Sequence, residues 1–332
     1  MKFGCSIVRP VHEVMKTAKL LEEHGFDYIW AVDECPRPPY RDPFIFMTLI
    51  GMATKNVKIG VGISPVYTRN PLLMAVAMHT LDELTGGRAV VGIGPGGTMP
   101  LAPLKIKMWD RPLRAVREWV DIWRRLFDGE TVSYDGEFFK CEKARLFQIE
   151  EGRPPRKIPI YLAARGPMML KLVGEIADGV FLTSPLKHFK YAIEKIREGA
   201  TKAGKDISDM NIMNGVRFSV SEDREKAIEG VKPGLSYVIS DMPDEMHKLE
   251  GITSQEAKDL REAMRRGGPA EAKKFVTDEM VDTFAIAGTS EECLKKLLTY
   301  EDAGVTHFNL MLAGDIDETL KILYEEIMPK VR

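Results

Sequence analysis

The sequence predicts a (β/α)8 TIM barrel with insertions, and three observations predict it. Short apolar runs alternate with helix-period stretches along the chain instead of falling in blocks, the pattern of a parallel sheet. Eight such runs are found, which favours a closed barrel over an open sheet. The length, 332 residues, suits one barrel domain spanning residues 1–332.

The elements follow in order. Phe3 to Val8 reads as the first strand. Val11 to His24 is a helix, with Val14, Ala18 and Leu21 on one face and Gly25 as its stop. Tyr28 to Val32 is the second strand. Phe44 to Ala53 is a helix so apolar that it is either buried or set in a subunit contact. Val57 to Ile63 is the third strand, and Pro71 to Leu84 a helix ending before Gly86 and Gly87. Ala89 to Ile93 is the fourth strand, followed by the helix Leu113 to Phe127. Ile158 to Ala163 and Gly179 to Leu182 are strands five and six, Ile212 to Val220 the seventh and His307 to Leu312 the eighth. Thr319 to Ile327 closes the chain as a helix.

Two segments interrupt the alternation. Residues 128–156 contain TVSYDGEFFK, in which Asp135-Gly136 reads as the turn of a small hairpin. Residues 221–282 are charged and mostly helical, the kind of insertion that forms a lid or a wall of a site.

Composition excludes several classes. The net charge is −2, from 47 basic and 49 acidic residues, which argues against a nucleic-acid protein held by a broad basic face. Four well-separated cysteines (Cys5, Cys35, Cys141, Cys293) form no CxxC pair, as in a cytoplasmic protein with reduced thiols. Lys2 to Val8 is too short an apolar run for a signal peptide. No run of 18 or more apolar residues suggests a membrane span. The histidines show no metal spacing, and His79, near Met74 and Met78, reads as a packed side chain.

Barrel ligands sit at the C-terminal strand ends, so the chemistry is sought there. Strand two ends in Asp33-Glu34-Cys35. Two adjacent carboxylates past a strand can bind a ring N–H or a hydroxyl, or move a proton. They fit a surface turn acid and an N-cap equally well. Strand three ends in GVGISPVYTRNP, where Gly60 and Gly62 signal either a bulge with close ligand approach or tight packing. Strand four ends in GIGPGG, with Gly96 and Gly97 in a loop against which a flat ligand can lie. As a dinucleotide fingerprint it is weak. Strand five ends in the turn Ala164-Arg165-Gly166-Pro167-Met168. Gly166 gives freedom for a sharp turn, Pro167 suits the first helical position, and the exposed N–H groups there suit a phosphate. There is no HExxH, P-loop or GxSxG. Glycine loops with few groups for hard chemistry favour a bound organic cofactor.

These residues resemble those of the bacterial-luciferase-like oxidoreductases, in the branch that uses the deazaflavin coenzyme F420. The resemblance covers nearly the whole chain. It is strongest in LDELTGGRAVVGIGPG (Leu81 to Gly96) and in IPIYLAARGPMMLKLVGEIADG (Ile158 to Gly179), and the latter is close to the methylenetetrahydromethanopterin reductases of archaea. The opening MKFG, the segment GISPVYTRNP and FAIAGTSEE (Phe284 to Glu292) match the same group.

The resemblance implies a luciferase-like barrel with F420 across its C-terminal mouth. It places a non-prolyl cis peptide at Gly62-Ile63, beside Ser64, behind the deazaflavin ring. It places Asp33 near that ring and makes residues 164–168 the phosphate-binding turn. Gly96 and Gly97 complete the cofactor-binding set. The activity implied is hydride transfer between C5 of F420 and a small organic substrate; the apolar helix Phe44 to Ala53 separately suggests a homodimer or higher homo-oligomer. Three departures bear on the substrate. A glutamate of the reductases is replaced by Ser6, the Asp-His of dehydrogenase relatives is here Asp33-Glu34, and an acid of some dehydrogenases is replaced by Gly97. By elimination Glu34 becomes the candidate general acid or base. A methanopterin reductase and an alcohol or sugar-phosphate dehydrogenase both fit. The alternatives are an FMN-dependent monooxygenase of the same fold and a non-catalytic protein that binds F420 or a flavin.

Overall fold

The computed structural model describes residues 1–36, 39–97, 101–106, 111–146 and 157–331. The elements run β1 (Lys2–Ile7), α1 (Val11–Glu23), β2 (Tyr28–Ala31), α2 (Pro43–Ala53), β3 (Lys58–Pro65), α3 (Pro71–Thr85), β4 (Ala89–Gly94) and α4 (Pro112–Phe127). The hairpin strands β5 (Val132–Asp135) and β6 (Lys140–Ala144) follow, then β7 (Ile160–Ala163), α5 (Pro167–Ile176), β8 (Gly179–Leu182), α6 (Leu186–Lys202) and β9 (Asn211–Val220). The rest are α7 (Arg224–Ser240), α8 (Asp244–Leu249), α9 (Ser254–Ala272), α10 (Asp278–Phe284), β10 (Ala285–Gly288), α11 (Ser290–Asp302), β11 (His307–Leu312), α12 (Ile316–Ile322) and α13 (Met328–Val331). The fold class is the (β/α)8 barrel.

The chain groups into two compact units. The first comprises residues 6–181 and 195–211. In it β2, β3, β4, β7 and β8 pair in parallel in that order. Caps explain where its helices begin. Asp42 Oδ1 accepts the N–H groups of Phe44 and Ile45 at the start of α2, and Asn70 Oδ1 accepts that of Leu72 at the start of α3. Each helix has proline at its first position. Gly86, at φ +69, ends α3 in the left-handed conformation that only glycine adopts freely. The buried guanidinium of Arg88 donates to Gly51 O and Thr54 O at the end of α2 and to Thr85 O at the end of α3. One side chain thus satisfies carbonyls that two helix ends leave open.

The second unit comprises residues 1–5, 182–194 and 212–332. Its strands pair in parallel in the order β10, β9, β11, β1. Helices α7 to α10 of the 221–282 segment enclose their own apolar core, with Val231, Leu235, Ile239 and Leu260 fully buried.

The structure departs from the sequence pattern in places. β10 is an additional short strand beside β9, in a stretch too short to announce itself by alternation. The closing helix is present and contains a π-helical turn, Leu323–Ile327, between α12 and α13. The hairpin turn is Gly136 to Phe139, longer than a two-residue Asp-Gly turn. Its geometry comes from Glu118 on α4, whose carboxylate accepts the N–H groups of Glu137, Phe138 and Phe139.

Candidate active site

The strand ends of the first unit bring Asp33 and Ser64 together. The pairing of β3 with β4 shifts register between Val61 and Ser64, a bulge that re-aims the strand end. Ser64 Oγ then donates to Asp33 Oδ2 at 2.6 Å. The peptide Gly62-Ile63 within the bulge is cis. A Cβ on Gly62 would lie 2.6 Å from the Phe181 ring and 3.1 Å from Trp30. The glycine at 62 is therefore set by close aromatic packing. Ile63 crosses over Gly92 and Gly94, where added Cβ atoms would come within 3.2 Å and 2.9 Å of its side chain.

Asp33 is buried, and a buried carboxylate requires charged or polar partners. Besides Ser64 it has Arg69, whose Nε lies 3.4 Å from the same Oδ2. Arg69 also reaches the α2 cap, with Nη2 3.1 Å from Asp42 Oδ2, and its guanidinium lies 4.5 Å from the centre of the Phe44 ring. Trp119 Nε1 donates to the Arg69 carbonyl at 3.3 Å. Arg69 is thus a site residue that sequence reasoning missed. It stands in the segment GISPVYTRNP, but nothing in its spacing from Asp33 marks the contact.

Glu34 is half-buried beside Asp33. Cys35 precedes a cis proline. Burial, then the charges of Asp33 and Asp42, push its thiol above the usual range, so it is no thiolate nucleophile. Gly96, at φ +69, needs its glycine, and Gly97 is half-buried.

The turn 164–168 leads into α5 with Gly166 at the N-cap and Pro167 at the first helical position, and no side chain caps this end. Gly166 has φ −81 and ψ 155. The conformation is ordinary extended backbone that any residue adopts, so the turn does not draw on the conformational freedom of glycine. What the glycine contributes is open space, since a Cβ there would meet nothing within 4 Å. Uncapped N–H groups facing open space suit a phosphate, so the donor set fits the phosphate end of the implied cofactor. Ala164 is buried, Arg165 half-buried, and Pro167 and Met168 exposed.

A groove of about 910 Å³ includes Met168 but none of the Asp33 cluster. His79 is a packed side chain, edge-on to Phe127. Among the described residues no group of three or more His, Cys, Asp or Glu side chains could hold a metal ion. No helix among them is long and apolar enough to cross a membrane.

The chain is similar over its full length to known proteins. It is 34% identical to the 5,10-methylenetetrahydromethanopterin reductase of Archaeoglobus fulgidus, with 100% of both chains covered. It is 26% identical to the F420-dependent glucose-6-phosphate dehydrogenase of Nakamurella multipartita, over 96% of this chain and 92% of that one. The solved coenzyme F420-dependent tetrahydromethanopterin reductase of Methanopyrus kandleri superposes with a TM-score of 0.90 at 29% identity, covering 100% of this chain and 99% of that one. The sequence model of the luciferase-like monooxygenase family matches residues 4–307. With the strand-end cluster and the open helix start in place, these likenesses identify the chain as a member of the luciferase-like monooxygenase family, in the branch of its F420-dependent oxidoreductases.

Proposed function

We propose that the protein is an F420-dependent oxidoreductase acting on a reduced pterin that carries a one-carbon group. The observation that carries this reading is the full-length likeness to the Archaeoglobus fulgidus reductase. The lower identity to the glucose-6-phosphate dehydrogenase, 26% against 34%, favours the pterin over a sugar phosphate. The reading takes residues 1–332 as one barrel domain with insertions at 128–156 and 221–282.

Bound F420 would supply a two-electron hydride carrier at its C5. The chain's own residues bind, orient and move a proton. Asp33, held by Ser64 and Arg69, presents a fixed buried acceptor for an N–H of the ring. Ile63, seated over Gly92 and Gly94, supplies an apolar surface at the bulge. The first N–H groups of α5 hold the phosphate. Glu34 exchanges a proton at the substrate heteroatom. Alignment of the two reacting carbons is the larger part of the catalysis.

The apolar side chains on α2 and α3 support a homodimer. Ile45 and Met52 on α2 are 60% and 67% exposed, and Leu73 and Val76 on α3 are 74% and 54% exposed. Large apolar side chains so exposed favour a second copy. Sedimentation at micromolar concentration tests it, and a stable monomer excludes it.

The function is tested by fluorescence-quench titration with F420 and with FMN, followed by turnover assays. Tight binding of F420, with hydride transfer to methylenetetrahydromethanopterin, supports the reading. Binding of FMN alone overturns it. Turnover of an alcohol or a sugar phosphate in place of the pterin moves the substrate and leaves the cofactor assignment standing.

A further inference from the structure

We propose that Glu250 is a proton-sensitive latch, which holds the 221–282 segment against the start of α6 and so sets one wall of a small cavity at the strand ends. Its effect on substrate rests on the oxidoreductase reading above, whereas the docking contact does not. Three observations carry it.

The first is the contact. The opening N–H groups of a helix have no partner within it. His188 N–H is among them in α6, one residue before Phe189 N–H bonds Pro185 O. Glu250 Oε1, from the turn between α8 and α9, accepts the His188 N–H at 3.1 Å. The other side of the contact is fixed. Ser184 donates its N–H to Oδ1 of buried Asn214 and accepts from Nδ2 at its carbonyl, both at 3.0 Å. Its Oγ lies 2.8 Å from His188 Nδ1, and Tyr300 OH donates to its carbonyl at 3.3 Å.

The second is transmission. Met246 and Ile252, on either side of Glu250, belong to the same buried apolar core as Val231 and Leu235 of α7. Interiors packed this closely transmit strain. Leu235 and Val238 line a small cavity together with Thr183 and Ser184 just past β8, Arg217 of β9 and Met311 of β11. Ligands of a (β/α)8 barrel lie at such strand ends. Release at Glu250 therefore moves a wall of the cavity.

The third is charge. Burial acts to raise the Glu250 pKa, while the His188 N–H and the Lys187 ammonium act to lower it. Burial outweighs both, and the carboxyl sits above the usual range. Tyr300 on α11 is itself pushed up by burial and then by the Glu250 charge. The His188 imidazole is turned to Ser184, and that of His247 on α8 to Ile239 O and Asp244. The docked carboxyl thus binds a proton more readily than a hydrated one. Docking is fully favoured below the ordinary glutamate pKa and weakens as pH rises through the raised value.

The test is hydrogen exchange at the His188 amide, corrected for intrinsic rate, beside KM for the pterin, from about pH 4 to about pH 8. In wild type, protection should fall and KM rise with pH, each by up to about 10-fold, the weight of one hydrogen bond. Glu250→Gln keeps an acceptor and does not ionise, so both quantities should stay near their low-pH values. Glu250→Ala should lose protection at every pH; if it does not fold, the glutamine variant carries the test alone. Wild-type protection that ignores pH overturns the proposal. So does a Glu250→Gln protein that follows pH as wild type does, which would assign the titration to His188 or His247. Protection that follows pH while KM does not overturns the tie to the cavity. Expected protection without any F420-dependent turnover overturns the oxidoreductase reading and leaves the latch standing.

Discussion

Ser64 Oγ donates a 2.6 Å hydrogen bond to Asp33 Oδ2, joining the end of β2 to the bulge of β3. Arg69 approaches the same oxygen from the segment before α3. Neither of these partners engages Oδ1, and that geometry leaves the second oxygen for a ligand N–H. A hydrogen bond to a charged group contributes about 1.5–3 kcal/mol. Asp33→Asn should therefore weaken F420 binding by about 10- to 100-fold. Ser64→Ala, which removes only the orienting partner, should weaken it by a smaller factor. Quench titration measures both, and an Asp33→Asn protein with wild-type affinity removes Asp33 from the cofactor site.

Gly166→Val separates the phosphate site from the fold. Its φ of −81 and ψ of 155 are open to any residue, and no atom lies within 4 Å of a Cβ placed there. The melting temperature should stay within a degree or two of wild type, as for surface substitutions generally. The isopropyl group instead fills the space before the first N–H groups of α5. F420 affinity should fall while the fold stays intact. Unchanged affinity in a folded Gly166→Val protein would place the phosphate elsewhere.

Much of this was legible in the sequence because period and punctuation are local. Strand and helix runs such as Ala89–Gly94 and Pro71–Thr85 carry their own apolar patterns, proline starts and glycine stops. The turn at Gly166 was legible in position but not in conformation, since glycine permits an αL turn without requiring one. The cis peptide at Gly62-Ile63 was legible only through resemblance, because two residue names do not encode ω. The Arg69 contacts with Asp33, Asp42 and Phe44 were not legible at all. They depend on how two strand-to-helix connections meet in space, and no periodicity reports that.

Glu118 makes stability of the hairpin depend on pH. Burial acts to raise its pKa, but the N–H groups of Phe138, Glu137 and Phe139 and the guanidinium of Arg114 outweigh it, so the carboxyl sits below the usual range. The folded state therefore binds its proton less readily than the unfolded chain. The stabilisation is fully present above the ordinary glutamate pKa, and it is lost as pH falls through the lowered folded value. Glu118→Gln should cost about 2–3 kcal/mol at pH 7, because backbone donors then face a neutral amide. The difference from wild type should shrink at pH 3. Denaturant unfolding at both pH values measures this, and an equal difference at the two would show that the charge is not what holds the turn.

Glu34 is the remaining candidate for proton transfer. It is half-buried, next in sequence to Asp33, and so shares the strand end that the Ser64 and Arg69 contacts fix. Asp33 is committed to those contacts, and Ser6 and Gly97 carry no acid. Cys35 is held in its thiol form by burial and by neighbouring carboxylates. Hydride transfer still requires a proton to move at the substrate heteroatom. Removing a general acid or base lowers turnover by about 10²–10⁴-fold. Glu34→Gln keeps the shape and hydrogen-bonding size of the side chain, so F420 affinity should stay at the wild-type value while turnover falls by that factor. The pH–rate profile should also lose the limb that reports a carboxyl group. A Glu34→Gln enzyme that keeps wild-type turnover and an unchanged profile would show that Glu34 is a solvated turn residue. The proton then comes from water or from the 221–282 segment.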